Sequence, residues 1–323
     1  MKHLFIINPV AKRIKGKVIP VKEKISAFFL EYPDMEYDVY VTEWCRDSIA
    51  FIHRYIADTE EIVRVHAIGG TGLLFEVINS VVDLPNAEVA SYPYGKANSF
   101  IKYFGAENEK LFFSLKGQVF DRTVPMDIVR CGNNYGICYG MVGIEAYANA
   151  LGDTWIEKGI PADISYSLAG IVYIINGKAA QQYSIEIDGR SIKGNFGSVM
   201  VANGPCYGLN MYPAIDAHPD DGVLDVYLFK TASTATLIRS VPPYTKGNYR
   251  RLKPGLISHY TARKVKLSSD SVMCMSLDGE RFYGTSTEYE IKQKAIRFVC
   301  PGGIDLAQLP RIYKRPQEGL RGE

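Results

Sequence analysis

The sequence predicts an α/β first domain built on an open parallel sheet, followed by an antiparallel β-sandwich. Three observations predict it. Strand-like and helix-like runs alternate over about the first 120 residues, which is the rhythm of a parallel sheet covered by helices. Short strand-like runs separated by turn residues then fill most of the chain to residue 300. The length, 323 residues, is enough for two domains at roughly 100–200 residues each. The boundary falls near residues 120–125, giving domains of 1–122 and 123–300, with a tail, 301–323, that packs back on the first domain.

The elements follow from local patterns. Leu4 to Ile7 is a short apolar strand ended by the turn Asn8-Pro9. Val21, Ile25, Phe28 and Phe29 have helical spacing, and Tyr37 to Val41 alternates as a strand. Asp47 can cap a helix carrying Ile49, Ile52 and Ile56. Ile62 to Ile68 is a β-branched strand, followed by the turn Gly69-Gly70-Thr71-Gly72 and a helix face of Leu73, Leu74, Val77, Ile78 and Val81. Glu88 to Ser91 is a strand and Ala97 to Tyr103 a short helix. In the second part, the strands are Ile128–Arg130, Tyr135–Tyr139, Tyr183–Ile187, Ser198–Ala202, Val223–Phe229, Val265–Leu267, Val272–Leu277, Tyr289–Ile291 and Ile296–Val299. One helical region, Ile164 to Asn176, interrupts them.

Composition narrows the class. With 47% hydrophobic and 22% charged residues, the chain is an ordinary globular protein, not a disordered or collagen-like one. A net charge of +2 gives no reason to expect nucleic acid as a partner. The longest apolar run, Leu168 to Ile175, is far short of the roughly 20 residues of a membrane span. The N-terminal apolar stretch is too short for a signal peptide. These features predict a cytoplasmic protein that touches a membrane only at its surface. Six scattered cysteines with no CxxC pair read as reduced core residues, although Cys131 and Cys138 could face each other across a hairpin.

Four motifs carry chemistry. Ile68-Gly69-Gly70-Thr71-Gly72-Leu73-Leu74-Phe75-Glu76-Val77-Ile78-Asn79 is a glycine-rich turn between a strand and a helix. Such a turn brings backbone N–H groups and a helix N-terminus to an anion. Alone it is also a common steric solution. One strand later stands Pro93-Tyr94-Gly95-Lys96-Ala97-Asn98-Ser99-Phe100. The third is Pro213-Ala214 with Asp220-Asp221-Gly222-Val223-Leu224-Asp225, and the fourth is Leu277-Asp278-Gly279-Glu280.

In this order and spacing the motifs resemble the diacylglycerol kinase catalytic family, which includes bacterial soluble lipid kinases and sphingosine kinases and is related to NAD kinases. Residues 68–79 align with GGDGTxxEVxN, and 93–105 with PxGTxNDFxxxxG. Asn203-Gly204, Pro213-Ala214 and 221–225 align with NG…P-A…DGxLDV, and 278–280 with DGE. The resemblance spans roughly residues 3–305. It implies a nucleotide-binding first domain, a lipid-substrate sandwich and an active site in the cleft between them, where the γ-phosphoryl of ATP passes to a lipid hydroxyl. By the same resemblance Asp278 is the general base and Glu280 its acidic neighbour. Asn8, Thr42, Gly69, Gly70, Thr71, Gly72, Glu76, Gly95, Lys96 and Asn98 bind nucleotide, and Asp127 is a network aspartate. If Asp278 and Glu280 lie on one strand, they face one cleft. Asp-Gly-Glu is also an ordinary hairpin turn. Hard oxygen ligands suit Mg2+, so Asp220, Asp221 and Asp225 form a plausible metal cluster, or else a turn before a strand.

The chain departs from the family where nucleotide is held. Thr71 replaces the Asp and Leu73 the Thr of GGDGT, and Lys96 and Ser99 replace the Thr and Asp of GTxND. A hydroxyl does not fully replace a carboxylate that organises hydrated Mg2+, whereas Lys96 adds a phosphate-binding cation. Between Val226 and Ser269 there are nine cations and no acid, with Tyr244, Tyr249 and Tyr260 interleaved. Lys246, Arg250, Arg251 and Lys253 are the candidate residues for a membrane surface, with a solvated face as the plain alternative. The expectation is an ATP- and Mg2+-dependent lipid kinase acting at a membrane, with no nucleic-acid partner and a homodimer left open. The alternatives are a catalytically impaired sensor of lipid or nucleotide, and a kinase of a soluble hydroxyl compound.

Overall fold

The computed structural model describes all residues except 97, 106, 177–180, 209–210, 305, 307–308 and 310–323. The first domain runs β1 (Lys2–Ile7), α1 (Val18–Leu30), β2 (Glu36–Val41), α2 (Asp47–Ala57), β3 (Val63–Gly69), α3 (Thr71–Val81) and β4 (Ala87–Pro93). β1 pairs in parallel with β2 and β3, and β3 with β4, so the order is β2-β1-β3-β4. β3 and β4 are buried along their whole length, and the two charges they carry inside, Arg64 and Glu88, pair with each other at 2.8 Å. Alternate β1 side chains serve opposite faces: Leu4 and Ile6 pack with α2 and α3, and Phe5 and Ile7 with Ile25 and Phe29 of α1.

These parallel strands do not end freely at β4. The last strand of the chain returns, and its Phe298 pairs in parallel with Val89. The helix expected at Ala97–Tyr103 is a 3-10 turn at Ile101–Phe104, and Ala97 lies outside the described residues. α4 (Leu115–Phe120) closes the domain.

The second domain contains β5 (Thr123–Cys131), β6 (Asn134–Gly136), β7 (Tyr139–Gly143), α5 (Ile144–Glu157), α6 (Ala162–Ile175), β8 (Gln181–Ile187), β9 (Arg190–Ala202), β10 (Leu224–Lys230), α7 (Thr234–Thr245), β11 (Ile257–Ala262), β12 (Lys264–Leu277) and β13 (Glu280–Val299). The run expected as one strand, Tyr135–Tyr139, is broken at Ile137-Cys138 into β6 and β7. Conversely, two pairs of expected strands fuse into β12 and β13. The polar stretches between them are taken up as register shifts, at Ser268/Met273 and Lys292/Ile296, the latter with Lys294 at φ 51.

The long strands change partners along their length. The start of β12 pairs with β8 and its end with β7, while β9 passes from β8 to β7 and β10. The folded-over layers enclose Val129, Ile185, Val201, Val226, Leu267 and Met275. α5 and α7 were not expected. α7 hides behind Pro242-Pro243, which read as helix breakers but sit in its last turn.

Cys131, Cys138, Cys206, Cys274 and Cys300 are buried free thiols, and Cys45 is exposed. The Cys131–Cys138 pairing does not form. The described part of the tail packs on the first domain: the Gly302 N–H donates to Asp121, and Ile304, Leu306 and Leu309 join its core. Among the described residues, no helix is long and apolar enough to cross a membrane.

Candidate functional site

The two glycine-rich loops meet backbone to backbone. A Cβ on Gly95 would lie 2.3 Å from the Gly70 Cα, so both positions need glycine for close approach. The Gly69 carbonyl accepts the N–H groups of Tyr94 and Gly95. Asn98, at φ 48, folds its amide back onto Pro93 and Gly95. Gly69 and Asn98 thus shape the loops rather than line the cleft.

A cleft of about 1200 Å³ opens in front of them. Asn8, Thr42, Gly70, Thr71, Gly72, Glu76, Gly95 and Lys96 all line it, with Glu280 on the far wall. Gly70 caps α3 without a side-chain bond, so the first N–H groups of α3 have no side-chain cap at the cleft. Thr42 is fixed by its N–H and hydroxyl on the Ile7 carbonyl, and Asn8 accepts the Val10 N–H. Glu76 lines the cleft but its carboxylate is occupied by the Arg46 N–H at 2.9 Å and the Ser48 hydroxyl. It positions the loop after Thr42. Lys12, Glu43 and Trp44 also line the cleft and were missed. Their only signal was nearness to Asn8 and Thr42.

Asp278 and Glu280 do not share a strand face, which corrects the expectation. Asp278 and Gly279, at φ 50 and 94, form the two-residue turn joining β12 to β13. Glu280 faces the cleft, 3.7 Å from Arg46. Asp278 turns inward and is buried. Its carboxylate accepts the N–H groups of Ile137 (2.5 Å), Cys138 (3.0 Å) and Tyr139 (2.9 Å). Burial pushes its pKa up to about 6 against the pull of these amides, with Glu280 adding to the rise. Asn203 holds the same segment from the other side, donating to the carbonyls of Ile137 and Cys138.

The metal cluster does not form. Among the described residues, no three His, Cys, Asp or Glu stand close enough to hold a metal ion. Asp225 is buried on β10 and bonded to His259 at 2.7 Å, while Asp221 accepts the Val223 N–H in a turn. Asp127 braces this turn through the N–H groups of Gly222 and Lys294. Strand and turn geometry therefore separates what the sequence spacing brought together. A Mg2+ ion arriving on phosphates needs only one or two protein oxygens. Glu280 and the buried, unpartnered hydroxyl of Thr71 fit that lesser demand.

Residues 2–131 match the diacylglycerol kinase catalytic domain, and residues 139–300 match the YegS C-terminal NAD kinase beta sandwich-like domain. The chain belongs to the diacylglycerol kinase catalytic family. A relative named "Probable lipid kinase YegS-like", from Shewanella frigidimarina, is 28% identical over 82% of this chain and 84% of its own length. A crystal structure of a diacylglycerol kinase from Bacillus anthracis superposes with a TM-score of 0.64 at 18% identity, covering 94% of this chain and 98% of the other. Membership makes the chain a phosphotransferase of the lipid kinase class.

A second concavity of this lipid kinase lies beneath α5, α6 and α7. It is lined mainly by apolar groups, among them Ile144, Ile174, Met211, Phe229 and Val241. One half-buried carboxylate, Glu145, stands in it. Ser198 (2.7 Å), Tyr207 (3.2 Å) and Tyr244 donate hydroxyl hydrogen bonds to it. Burial raises its pKa, against the pull of those hydroxyls. One ring contact links the cavity to the segment that holds Asp278: the Tyr207 ring lies 5.3 Å from the ring of Tyr139, whose N–H is bonded to Asp278.

The basic segment is more mixed than expected. Lys246, Arg251 and Lys253 are exposed. Arg250 is engaged, 2.9 Å from Asp216 and 4.9 Å over the Tyr249 ring. Tyr244 and Tyr249 are buried, so these two do not serve an interface.

Proposed function

We propose that this lipid kinase transfers the γ-phosphoryl of ATP to a hydroxyl of diacylglycerol or a related lipid alcohol. The observation that carries this reading is the position of Asp278. It lies on the segment 137–139, with the cleft-lining Glu280 two residues away and the apolar cavity one ring contact away.

In this reading the uncapped N-terminus of α3 and Lys96 bind phosphate oxygens, and the lipid chain occupies the cavity. The lipid hydroxyl oxygen bonds to the γ-phosphorus, the bond to the β-phosphate oxygen breaks, and the hydroxyl proton passes to Asp278. A group with a pKa near 6 suits that transfer at neutral pH. Mg2+, when bound through Glu280 and Thr71, would neutralise phosphate charge.

A second reading, a nucleotide- or lipid-binding member with impaired turnover, is favoured by Leu73. Its side chain is buried against Gly69 and offers phosphate no hydroxyl. The apolar lining of the cavity speaks against a soluble acceptor.

The test is labelled ATP·Mg2+ offered with diacylglycerol, monoacyl lipids, a total lipid extract and small soluble alcohols in parallel. Label in a lipid product is expected. Label only in a soluble product overturns the acceptor assignment, and nucleotide binding without any transfer supports the second reading.

A further inference from the structure

α6 carries Asp163, Ser165 and Ser167 in its first half and is almost wholly apolar from Leu168 to Ile175, yet only part of its apolar surface is covered. Tyr166, Gly170 and Ile174 face the apolar cavity. Ile164, Leu168 and Ile175 point the other way and are 52%, 42% and 58% exposed. At 3.6 residues per turn these three positions fall in one narrow stripe. A helix that buries one apolar face and still exposes a stripe of large apolar side chains leaves that stripe for a lipid or protein surface.

The surroundings say which. The connection from α7 to β11 places Leu252 and Leu256 in one apolar cluster with Ile174. The same connection exposes Lys246, Arg251 and Lys253. No Asp or Glu occurs between Val226 and Ser269 to offset them. An apolar stripe that has one acid, Asp163, on its own helix and three exposed cations on the neighbouring connection complements the interface of an anionic bilayer. A second copy of this chain would bring the same cations against themselves.

We propose that α6 is the membrane-docking element: Ile164, Leu168 and Ile175 enter the interface of an anionic membrane while Lys246, Arg251 and Lys253 meet its head groups. One helix then separates the bilayer from the apolar cavity, its outer face on the lipid and its inner face on the cavity. This goes beyond the phosphotransfer reading and is tested without turnover.

The experiment is co-sedimentation of the full chain with phosphatidylcholine vesicles, with and without phosphatidylserine. The wild-type protein should bind the anionic vesicles and be released by salt. Two variants, Ile164→Ser with Leu168→Ser, and Lys246→Ala with Arg251→Ala and Lys253→Ala, should each bind at least about tenfold more weakly. All six side chains except Ile175, which is left unchanged, are thereby probed at exposed positions. Melting temperature and ATP titration should be unchanged, showing that the fold and the distant cleft are intact.

Failure of the wild-type protein to bind anionic vesicles overturns the proposal, as do variants that bind as well as the parent. A dimer in solution that the Ile164→Ser, Leu168→Ser change dissociates would also overturn it, by assigning the stripe to a second copy. None of these results alters the outcome expected of the phosphotransfer assay.

Discussion

The cleft, reached from Asp278 through Glu280, and the cavity, reached through the Tyr139–Tyr207 ring contact, are built in different ways. The cleft is made by main chain. Two loops touch at Gly70 and Gly95, and the N-terminus of α3 faces it. The cavity is made by packing, from three helices over a sheet, with one hydroxyl-ringed carboxylate inside. A main-chain site tolerates changed side chains as long as its glycines and turns remain. A packed site depends on volume. The departures at Thr71, Leu73 and Lys96 therefore alter what the cleft can coordinate without dissolving its shape, while Ser99 is buried away from it.

The largest effect should come where the two regions meet. In Asp278→Asn, one amide N–H of the segment 137–139 would face an NH2 group instead of an oxygen, and the proton acceptor is lost. Transfer should fall about 10²–10⁴-fold, with ATP titration little changed. Turnover equal to the parent would remove Asp278 from the chemistry.

Next is Gly95→Ala. Its methyl group would press on the Gly70 Cα and force the loops apart, costing about 1–3 kcal/mol. Nucleotide affinity should fall while the KM for lipid stays the same. Gly170→Phe is the mirror experiment. A Cβ there meets only Ala148, at 3.8 Å, so the ring can extend into the cavity. The KM for lipid should rise about tenfold or more with nucleotide binding intact. If both variants affect the same substrate, the division of labour between the two concavities is wrong.

A last effect leaves both concavities alone and acts on the stability of the first domain through acid. His3 and His66 are buried together in the first domain, 3.0 Å apart. Burial lowers the His3 pKa to about 4, with Arg64 adding to the effect. A folded-state pKa below the unfolded value near 6.5 means that stability is fully present above about pH 6.5. It is lost as pH falls towards 4, by about 3 kcal/mol from His3. Urea melts at pH 7 and pH 5 should show this loss, and a His3→Phe variant should lose less.

Legibility in the sequence followed the same division. The alternation of the first domain could be read because strands, helices and turns leave local signatures, and eight of the cleft-lining residues because their motifs resemble those of the family. The Asp278–Glu280 geometry could not, because Asp-Gly-Glu fits equally a strand face and a turn, and only the positive φ values decide. Asp220, Asp221 and Asp225 were misread because nearness in sequence says nothing about which way a turn and a strand aim their side chains. The cavity was invisible for a deeper reason. α5 has no strong periodicity, α7 ends in two prolines, and Glu145 looks like any helical glutamate until Ser198, Tyr207 and Tyr244 are brought to it from three distant segments.

The most direct test of the central claim, that lipid hydroxyl and nucleotide meet at Asp278, is the pH dependence of kcat/KM for lipid phosphorylation. The account predicts a rate that rises with pH through a limb near 6, set by the burial of Asp278, and no such limb in Asp278→Asn. A limb in the ordinary carboxylate range, or an unchanged limb in the variant, would contradict it.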